Sequence, residues 1–242
     1  MTIVKGGHNI CGVSIGVLSL ESYFPKPPGH IKNPSSLSFT TTYEVIEGLT
    51  VPKLLNNPTP EMIEPLLDAA KRLEASGVKA ITGSCGFLAL FQKEIAAAVN
   101  IPVFVSSLVQ AQLIHQMTAR PVGVITASKE LLTDKHLAGV GAADVPMVIE
   151  GLSDTEEFAE VILRNERNDM DLDKVEAEVI EAGQRLIAKN PDVGAILLEC
   201  TDLPPYAHQL ADALSRPVFD IITLAEMVDR AILRRPFSGF TN

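Results

Sequence analysis

The feature that most constrains the fold of this chain is an internal repeat. The segment GVKAITGSCGFLALFQKEIAAAVNIPVF, which begins at Gly77, aligns without a gap on DVGAILLECTDLPPYAHQLADALSRPVF, which begins at Asp192. Cys85 falls on Cys200, and the Pro-Val-Phe that closes one segment falls on that of the other. Aliphatic matches arise between any two strand-helix-strand segments, but a cysteine and a proline in register indicate a true duplication. We therefore expect two similar units in tandem.

Short β-branched runs alternate with amphipathic stretches along the chain, a pattern typical of an α/β fold with parallel sheets. Strands are predicted at residues 13–18, 80–82, 103–105, 122–126, 195–198 and 218–221. Residues 23–58 are rich in Pro, Ser and Thr and are predicted to be a long loop. His30 and Asn33 could reach a substrate from it, although a surface excursion or a subunit contact explains it equally well. Residues 153–174 are predicted to form a solvated helix and a turn.

The repeat divides the chain into two domains of similar size. Residues 1–118 form an N-terminal α/β unit that carries Cys85, and residues 119–242 form a C-terminal unit that carries Cys200. The boundary lies near Ala119 to Pro121, where PVGVITASK opens the second unit. The C-terminal helix is free to pack on the first unit. The prediction is thus two pseudo-symmetric parallel-sheet units with flanking helices and an active site between them.

The composition excludes several classes of partner. The 242 residues carry a formal net charge of -10 and no run of Lys or Arg, whereas nucleic acids and anionic membrane surfaces require a concentrated positive face. No apolar stretch approaches the roughly 20 residues of a membrane-spanning helix, and the start lacks the features of a secretory leader. We expect a cytoplasmic protein with neither a nucleic-acid nor a membrane partner. The composition leaves open whether the chain forms a homo-oligomer.

The three cysteines fit neither a disulfide framework nor a zinc site, because they are few, widely spaced and free of CxxC pairs. No metal is therefore expected. Cys11 has no counterpart in the second unit and is expected to be a small buried residue. Cys85 and Cys200 each follow a strand and precede a helix, where ligands bind in open α/β sheets and where helix N-termini lower thiol pKa values. Each is predicted to act as a thiolate or near-thiolate facing a crevice.

If the two crevices face each other, both thiols approach one substrate from opposite sides. Such a pair suits the removal of a proton from one face of a carbon and the return of a proton on the other. Carbon acids next to a carboxylate are weak, so the developing carbanion needs hydrogen-bond donors. Backbone N–H groups at the helix starts, with the hydroxyls of Ser84, Thr126 and Thr201, are the predicted donors.

TGSCGF and LECTDLPPY, each at a strand end in its own half, resemble the aspartate/glutamate racemase superfamily. That superfamily includes hydantoin racemases, maleate isomerases and arylmalonate decarboxylases. The resemblance covers nearly the whole chain and implies cofactor-independent chemistry with Cys85 and Cys200 as the acid/base pair. The chain departs from the racemase pattern at Gly86 and Phe87, where Asn-Thr usually binds the substrate. The predicted substrate-binding residues are Ser19, Ser84, Gly86, Phe87, Thr126, Ser128 and Thr201.

The expected function is racemisation or epimerisation of a small carboxylate compound, such as aspartate or glutamate, by two-base proton transfer without a cofactor. The alternatives on the same fold are a maleate-type cis-trans isomerase, a decarboxylase and a hydantoin racemase. A non-catalytic protein that binds a small acid is a further alternative. The substrate is not determined by these patterns, because a bulky Phe87 in place of a polar residue admits a larger or less polar acid.

Overall fold

The computed structural model describes residues 3–240 and contains two four-stranded parallel sheets. The eight strands are β1 Ile15–Glu21, β2 Thr41–Thr50, β3 Ala80–Gly83, β4 Val103–Phe104, β5 Val122–Thr126, β6 Met147–Gly151, β7 Ala195–Leu198 and β8 Val218–Phe219. The first sheet has the order β2-β1-β3-β4, and the second has the order β6-β5-β7-β8. Adding four to each strand number of the first sheet gives the order of the second, so the two sheets have the same topology. The predicted fold class is therefore confirmed.

Helices connect and cover the strands. They are α1 Val51–Asn56, α2 Ile63–Ser76, α3 Gln92–Ala97, α4 Ala111–Thr118, α5 Asp134–Gly139, α6 Leu172–Lys189, α7 Ala207–Leu214 and α8 Ile221–Ile232. Their ends have local causes: Gly77 ends α2 with a left-handed φ of 109°, and the Asp171 side chain caps α6 by accepting from the Asp173 and Lys174 N–H groups. Both helices bury an apolar stripe against the sheets.

The register of the central strands places both cysteines at the carboxyl edges of the sheets. β1 pairs with β3 from Ile15 opposite Ala80 to Leu18 opposite Gly83. In the second sheet β5 pairs with β7 in the corresponding way, as far as Ile125 opposite Leu198. All residues of β3, β5 and β7 are buried, as is typical of strands covered on both faces. The chain leaves β3 and β7 just before Cys85 and Cys200.

The last helix of each unit packs on the sheet of the other. Helix α4 contacts β5 and β7, and α8 contacts β3. On α8 the buried Ile221 and Leu224 join Ile15, Val17 and Phe104 of the first sheet in one apolar cluster. A larger core cluster continues through both sheets. Each predicted domain thus contains one sheet, but the helices at their ends cross the boundary.

Three sequence predictions about local structure are wrong, and one strand was missed. Residues 23–58 contain β2 and α1, and β6 was not expected. Both strands lie at the outer edges of their sheets and are largely half-exposed, so they lack the continuous apolar run of a buried strand. The segment predicted as a solvated helix contains a π-helical turn, Ala159–Leu163, whose Val161 and Ile162 are buried. Cys11, expected to be buried, is exposed.

Among the helices of residues 3–240, none is both long enough and apolar enough to cross a membrane.

Candidate active site

The loops that follow β3 and β7 meet between the two sheets. The Thr201 hydroxyl donates a 2.6 Å hydrogen bond to the carbonyl oxygen of Ser84. Glu199 lies against the backbone of Gly86, where a Cβ atom would stand 2.1 Å from Glu199 Oε1. Only glycine therefore fits at position 86. These two contacts bring the segments that carry the cysteines to one place.

Cys85 and Cys200 occupy equivalent positions in the two loops. The backbone N–H two residues further on, of Phe87 or of Asp202, hydrogen-bonds each sulfur and lowers its pKa. Burial outweighs this effect, since the two residues are only 8% and 6% exposed, and it raises the pKa of both thiols well above the ordinary value. The helix starts were predicted to lower the pKa of both cysteines and make them near-thiolates. This prediction is wrong, because the pKa of each thiol is raised.

The charges around the two thiols differ. In addition to burial, Glu199 and Asp202 raise the pKa of Cys85, whereas the positive charge of Lys32 acts to lower it. The charged groups that act on Cys200 are Asp202, Glu199 and Cys85 itself, and all of them raise its pKa. The Lys32 ammonium thus favours a negative charge on the Cys85 sulfur, against the carboxylates that oppose it.

Asp202 joins His30 to Cys200. The His30 Nδ1 accepts a 2.8 Å hydrogen bond from the backbone N–H of Lys32, so its Nε2 carries the proton and donates to Asp202 Oδ1 at 2.6 Å. The Cys200 thiol donates to the other carboxylate oxygen, Oδ2, at 3.3 Å. Burial acts to raise the pKa of Asp202, but the donors His30 and Cys200 outweigh it and the pKa is lowered. Asp202 is thus an ionised carboxylate with only 9% of its side chain exposed.

The loop between β1 and β2 brings two lysines to this site. The Lys32 ammonium donates to the Leu20 carbonyl oxygen at 2.7 Å and to Ser22 Oγ at 2.8 Å. Burial lowers the pKa of Lys32, and it lowers that of Lys26 to about 8. The loop docks on the second unit through Gly29, whose φ is +103° and where a Cβ atom would stand 2.6 Å from the Pro205 Cα.

The site is closed in this structure. A cleft of about 910 Å³ opens next to it and is lined by residues 55–63 on one side and by His136 and its neighbours on the other. The His136 ring packs edge-on against Phe87, with 5.0 Å between the ring centroids. Neither cysteine lines the cleft. Cys85 and Cys200 are themselves only 8% and 6% exposed, so little of either side chain is open to a substrate in this structure.

Comparison with known proteins establishes the family. The family profile for Asp/Glu/Hydantoin racemase matches residues 40–226. This chain belongs to that family. A dimethylsulfoniopropionate lyase of Durusdinium sp. clade D is 31% identical over 97% of this chain and 80% of its own length. The dimethylsulfoniopropionate lyase 7 of Emiliania huxleyi (strain CCMP1516) is 32% identical over 95% of this chain and 70% of its own length.

The fold of this racemase-family chain is shared with solved structures. The glutamate racemase isoform RacE1 of Bacillus anthracis superposes with a TM-score of 0.60 at 17% identity, covering 92% of this chain and 82% of its own. The family resemblance drawn from TGSCGF and LECTDLPPY is therefore confirmed. The assignment of substrate and reaction is a separate question, since an identity this low shows the fold alone.

Of the hydroxyls predicted to bind substrate at this racemase-family site, that of Thr201 links the two halves, and those of Ser84 and Thr126 hold segments within their own half. Ser84 Oγ accepts from the Leu20 N–H, and the Thr201 hydroxyl donates to Ser84. The Thr126 hydroxyl donates to Glu199 Oε2 at 2.7 Å. Ser19 is buried on β1. All four line the meeting place of the strand ends, and their contact with a substrate stays a prediction.

The other predicted residues have contacts that lead away from the cysteines. The Phe87 side chain packs on His136, so its backbone N–H is the part that reaches Cys85. The Ser128 hydroxyl donates to Glu130. Asn33 hydrogen-bonds within its own loop, to the Lys26 carbonyl oxygen. Gly86 contributes by the absence of a side chain, and a substrate role for any of these residues stays a prediction.

Sequence reasoning missed most of the ionisable groups of the site. Glu199 and Asp202 flank Cys200 in the sequence, and that proximity was the available signal. Lys32 gave no signal, because its approach depends on how the loop docks. Within residues 3–240, no group of three or more His, Cys, Asp and Glu side chains is arranged to hold a metal ion.

Proposed function

We propose that this protein is a lyase that cleaves dimethylsulfoniopropionate or a closely related β-sulfonium carboxylate. The observation that carries the proposal is the 31% identity, over 97% of the chain, with a protein named as a dimethylsulfoniopropionate lyase. The site supports it because ionisable groups of both signs surround the thiols: the Lys32 ammonium and the carboxyl groups of Glu199 and Asp202. A substrate with one carboxylate and one sulfonium group is complementary to such a site.

The reaction requires one base. The Cys85 thiolate removes a proton from the carbon next to the substrate carboxylate, and the electrons of that C–H bond form a carbon-carbon double bond. The bond between the β-carbon and sulfur breaks, its electron pair leaves on sulfur, and dimethyl sulfide and acrylate are the products. The proton remains on Cys85. The positive charge of Lys32 stabilises the thiolate and the negative charge that develops on the substrate carboxylate.

The unequal surroundings of the two thiols favour this one-base reaction. A two-base racemase needs each sulfur to act as base in one direction and as acid in the other. Here the Lys32 ammonium acts on Cys85, whereas the Cys200 thiol donates a hydrogen bond to the ionised Asp202. Cys85 is therefore assigned as the base and Cys200, with Asp202 and His30, as the opposite wall that holds the substrate.

Racemisation of a small carboxylate compound, such as aspartate or glutamate, is the second candidate. The observation that favours it is the symmetry of the thiols, which are buried at equivalent positions of two equivalent sheets. In that case Cys85 and Cys200 would be equally indispensable, because each would carry one of the two proton transfers.

Steady-state assays with dimethylsulfoniopropionate test the proposal. We expect the wild-type protein to release dimethyl sulfide into the headspace and an equal amount of acrylate. Cys85→Ser should lower kcat/KM by about 10²–10⁴-fold, as expected for the loss of a general base. Cys200→Ser should retain more activity than Cys85→Ser, and Cys11→Ser, which alters an exposed thiol, should match the wild type.

A different outcome would favour the second candidate. The same three variants are incubated in deuterated water with L- and D-aspartate, glutamate and substituted hydantoins. Racemisation with deuterium at the α-carbon, lost equally in Cys85→Ser and Cys200→Ser and accompanied by no sulfide release, would refute the lyase assignment.

A further inference from the structure

Glu199 is a buried carboxyl group with one oxygen that has no partner. The residue is fully buried, and its Oε2 accepts the hydrogen bond from Thr126. In the part of the chain that the structure describes, Oε1 has no hydrogen-bond partner. A buried polar atom without a partner is destabilising, and more so if the group is charged. Packing alone would be served at lower cost by an apolar residue.

The free oxygen points toward the loop that carries the proposed base. The close approach of Glu199 Oε1 to position 86 places it beside the residue that follows Cys85. Burial has the largest effect on the pKa of Cys85, and Glu199 has the second largest; both raise it. Cys85 and Glu199 therefore share an electrostatic environment in which a proton on one favours its absence from the other.

The proposed elimination leaves Cys85 with a proton that must be removed in every turnover. A racemase returns a proton to its product, but a lyase of this kind releases an unsaturated acid and retains the proton. Because Cys85 is buried, water does not reach its sulfur freely. An elimination at this site thus needs a second group that accepts the proton from Cys85.

We propose that Glu199 accepts the proton from Cys85 after each elimination and passes it to solvent. This inference rests on the proposed lyase function. The S–H bond of Cys85 breaks, an O–H bond forms on Glu199 Oε1, and the thiolate is regenerated. The carboxylic acid then loses its proton to water when the site opens for product release, so one proton leaves the protein in each turnover. Glu199 acts through Cys85 and not on the substrate.

The electrostatics of Glu199 suit this exchange at neutral pH. Burial raises the pKa of Glu199 to about 7, the hydrogen bond from Thr126 acts to lower it, and the charge of Asp202 acts to raise it. The titratable groups that face it are Cys85, Cys200 and Asp202. His30 and the Lys32 ammonium lie beyond them, around Asp202. A group that both takes and releases a proton works best when its pKa is near the working pH.

The pH dependence of kcat for sulfide release tests the inference, because Glu199 is proposed to act after the elimination step. Since Glu199 must be ionised to accept the proton from Cys85, kcat of the wild type should show an acid limb, rising with pH through about pH 7. Glu199→Gln keeps the shape of the side chain but cannot titrate. It should lower kcat by about 10²-fold or more and remove this acid limb from the profile. Glu64→Gln, at an exposed position on α2, is the matched control and should reproduce the wild-type profile.

Thr126→Val provides an independent test that leaves the carboxyl group in place. It removes the hydrogen bond that lowers the pKa of Glu199, so the acid limb should move to higher pH. If Glu199→Gln does not fold, as judged by circular dichroism, the direction of this shift decides the question.

The failure of the lyase assignment and the failure of the proposed role of Glu199 give different results. Wild-type protein that releases no sulfide refutes the lyase assignment itself, whatever the variants do. Wild-type release of sulfide, with an acid limb that persists in Glu199→Gln or does not move in Thr126→Val, would leave the lyase in place and overturn the role of Glu199.

Discussion

Asp202 receives hydrogen bonds from both halves of the molecule. His30 of the first unit and Cys200 of the second each donate to one of its two oxygens. An ionised carboxylate with only 9% of its side chain exposed is costly unless such donors compensate for the lost water. The pair His30–Asp202 therefore fixes the orientation of the Cys200 thiol and ties the long loop to the second sheet.

This arrangement predicts how stability depends on pH. Because the folded pKa of Asp202 is lower than the unfolded value of about 3.9, its ionised form stabilises the protein fully above that value. The contribution is lost as the pH falls through the lower, folded pKa. The difference in free energy of unfolding between wild type and Asp202→Asn should therefore be largest near neutral pH and should decrease below about pH 4.

Urea unfolding at a series of pH values between 3 and 7 measures this difference. Asp144→Asn, which alters an exposed carboxylate in the turn before β6, should change the free energy of unfolding by less than about 0.5 kcal/mol at neutral pH. A wild-type advantage over Asp202→Asn that grows on acidification would show that Asp202 is not held ionised by His30.

At the scale of elements, the loop between β1 and β2 decides the chemistry of the site. It contributes His30 and Lys32, and it reaches the second unit where Gly29 touches Pro205. A side chain at position 29 would press on the Pro205 backbone and lift the loop from that surface. Both ionisable groups would move with it.

Gly29→Ala tests this docking, and Gly48→Ala is its control. Both glycines have positive φ values, +103° and +72°, but a Cβ at Gly48 would meet open space. We expect Gly29→Ala to lower the free energy of unfolding by about 1–3 kcal/mol more than Gly48→Ala does, because only the former also creates a steric overlap. The kcat/KM for sulfide release should fall in Gly29→Ala alone. Equal effects of the two substitutions on both quantities would contradict the docking role.

The sequence predicted the repeated elements well, because β3, β4, β7 and β8 lie within the segments that align with each other. It failed at β2 and β6, which form the edges of the sheets and therefore have no buried run. The cysteines could be located from their positions at strand ends. The sequence could not predict the contact of His30 with Asp202, the approach of Lys32 or the pKa of Glu199 near 7, since each depends on burial or on contacts between distant segments.

At the scale of the whole molecule, the exchange of α4 and α8 makes the two units interdependent. Neither sheet is covered by its own chain segment alone, and the core continues from one sheet into the other. We therefore expect the protein to unfold in one cooperative transition, in spite of its two sheets.

Leu224→Ala, on α8, tests this interdependence. Leu224 is buried against the first sheet, so its truncation should lower the free energy of unfolding by about 2–4 kcal/mol. Met227→Ala, on the same helix but 50% exposed, should cost less than about 0.5 kcal/mol. Far-ultraviolet circular dichroism and the reactivity of the buried thiols should report the same urea midpoint in both variants. Separate midpoints would show that the sheets unfold independently.

The reciprocal placement of α4 and α8 also bears on the origin of the site. A half-length ancestor with such a helix would have assembled as a swapped homodimer, and every side chain on one wall of its cleft would have had an identical copy on the other. Once the two copies were fused into a single polypeptide, the two walls no longer had to be identical. A lysine could then be acquired near one sulfur and a histidine-bound aspartate beside the other, so that a cleft with two equivalent walls became polarised.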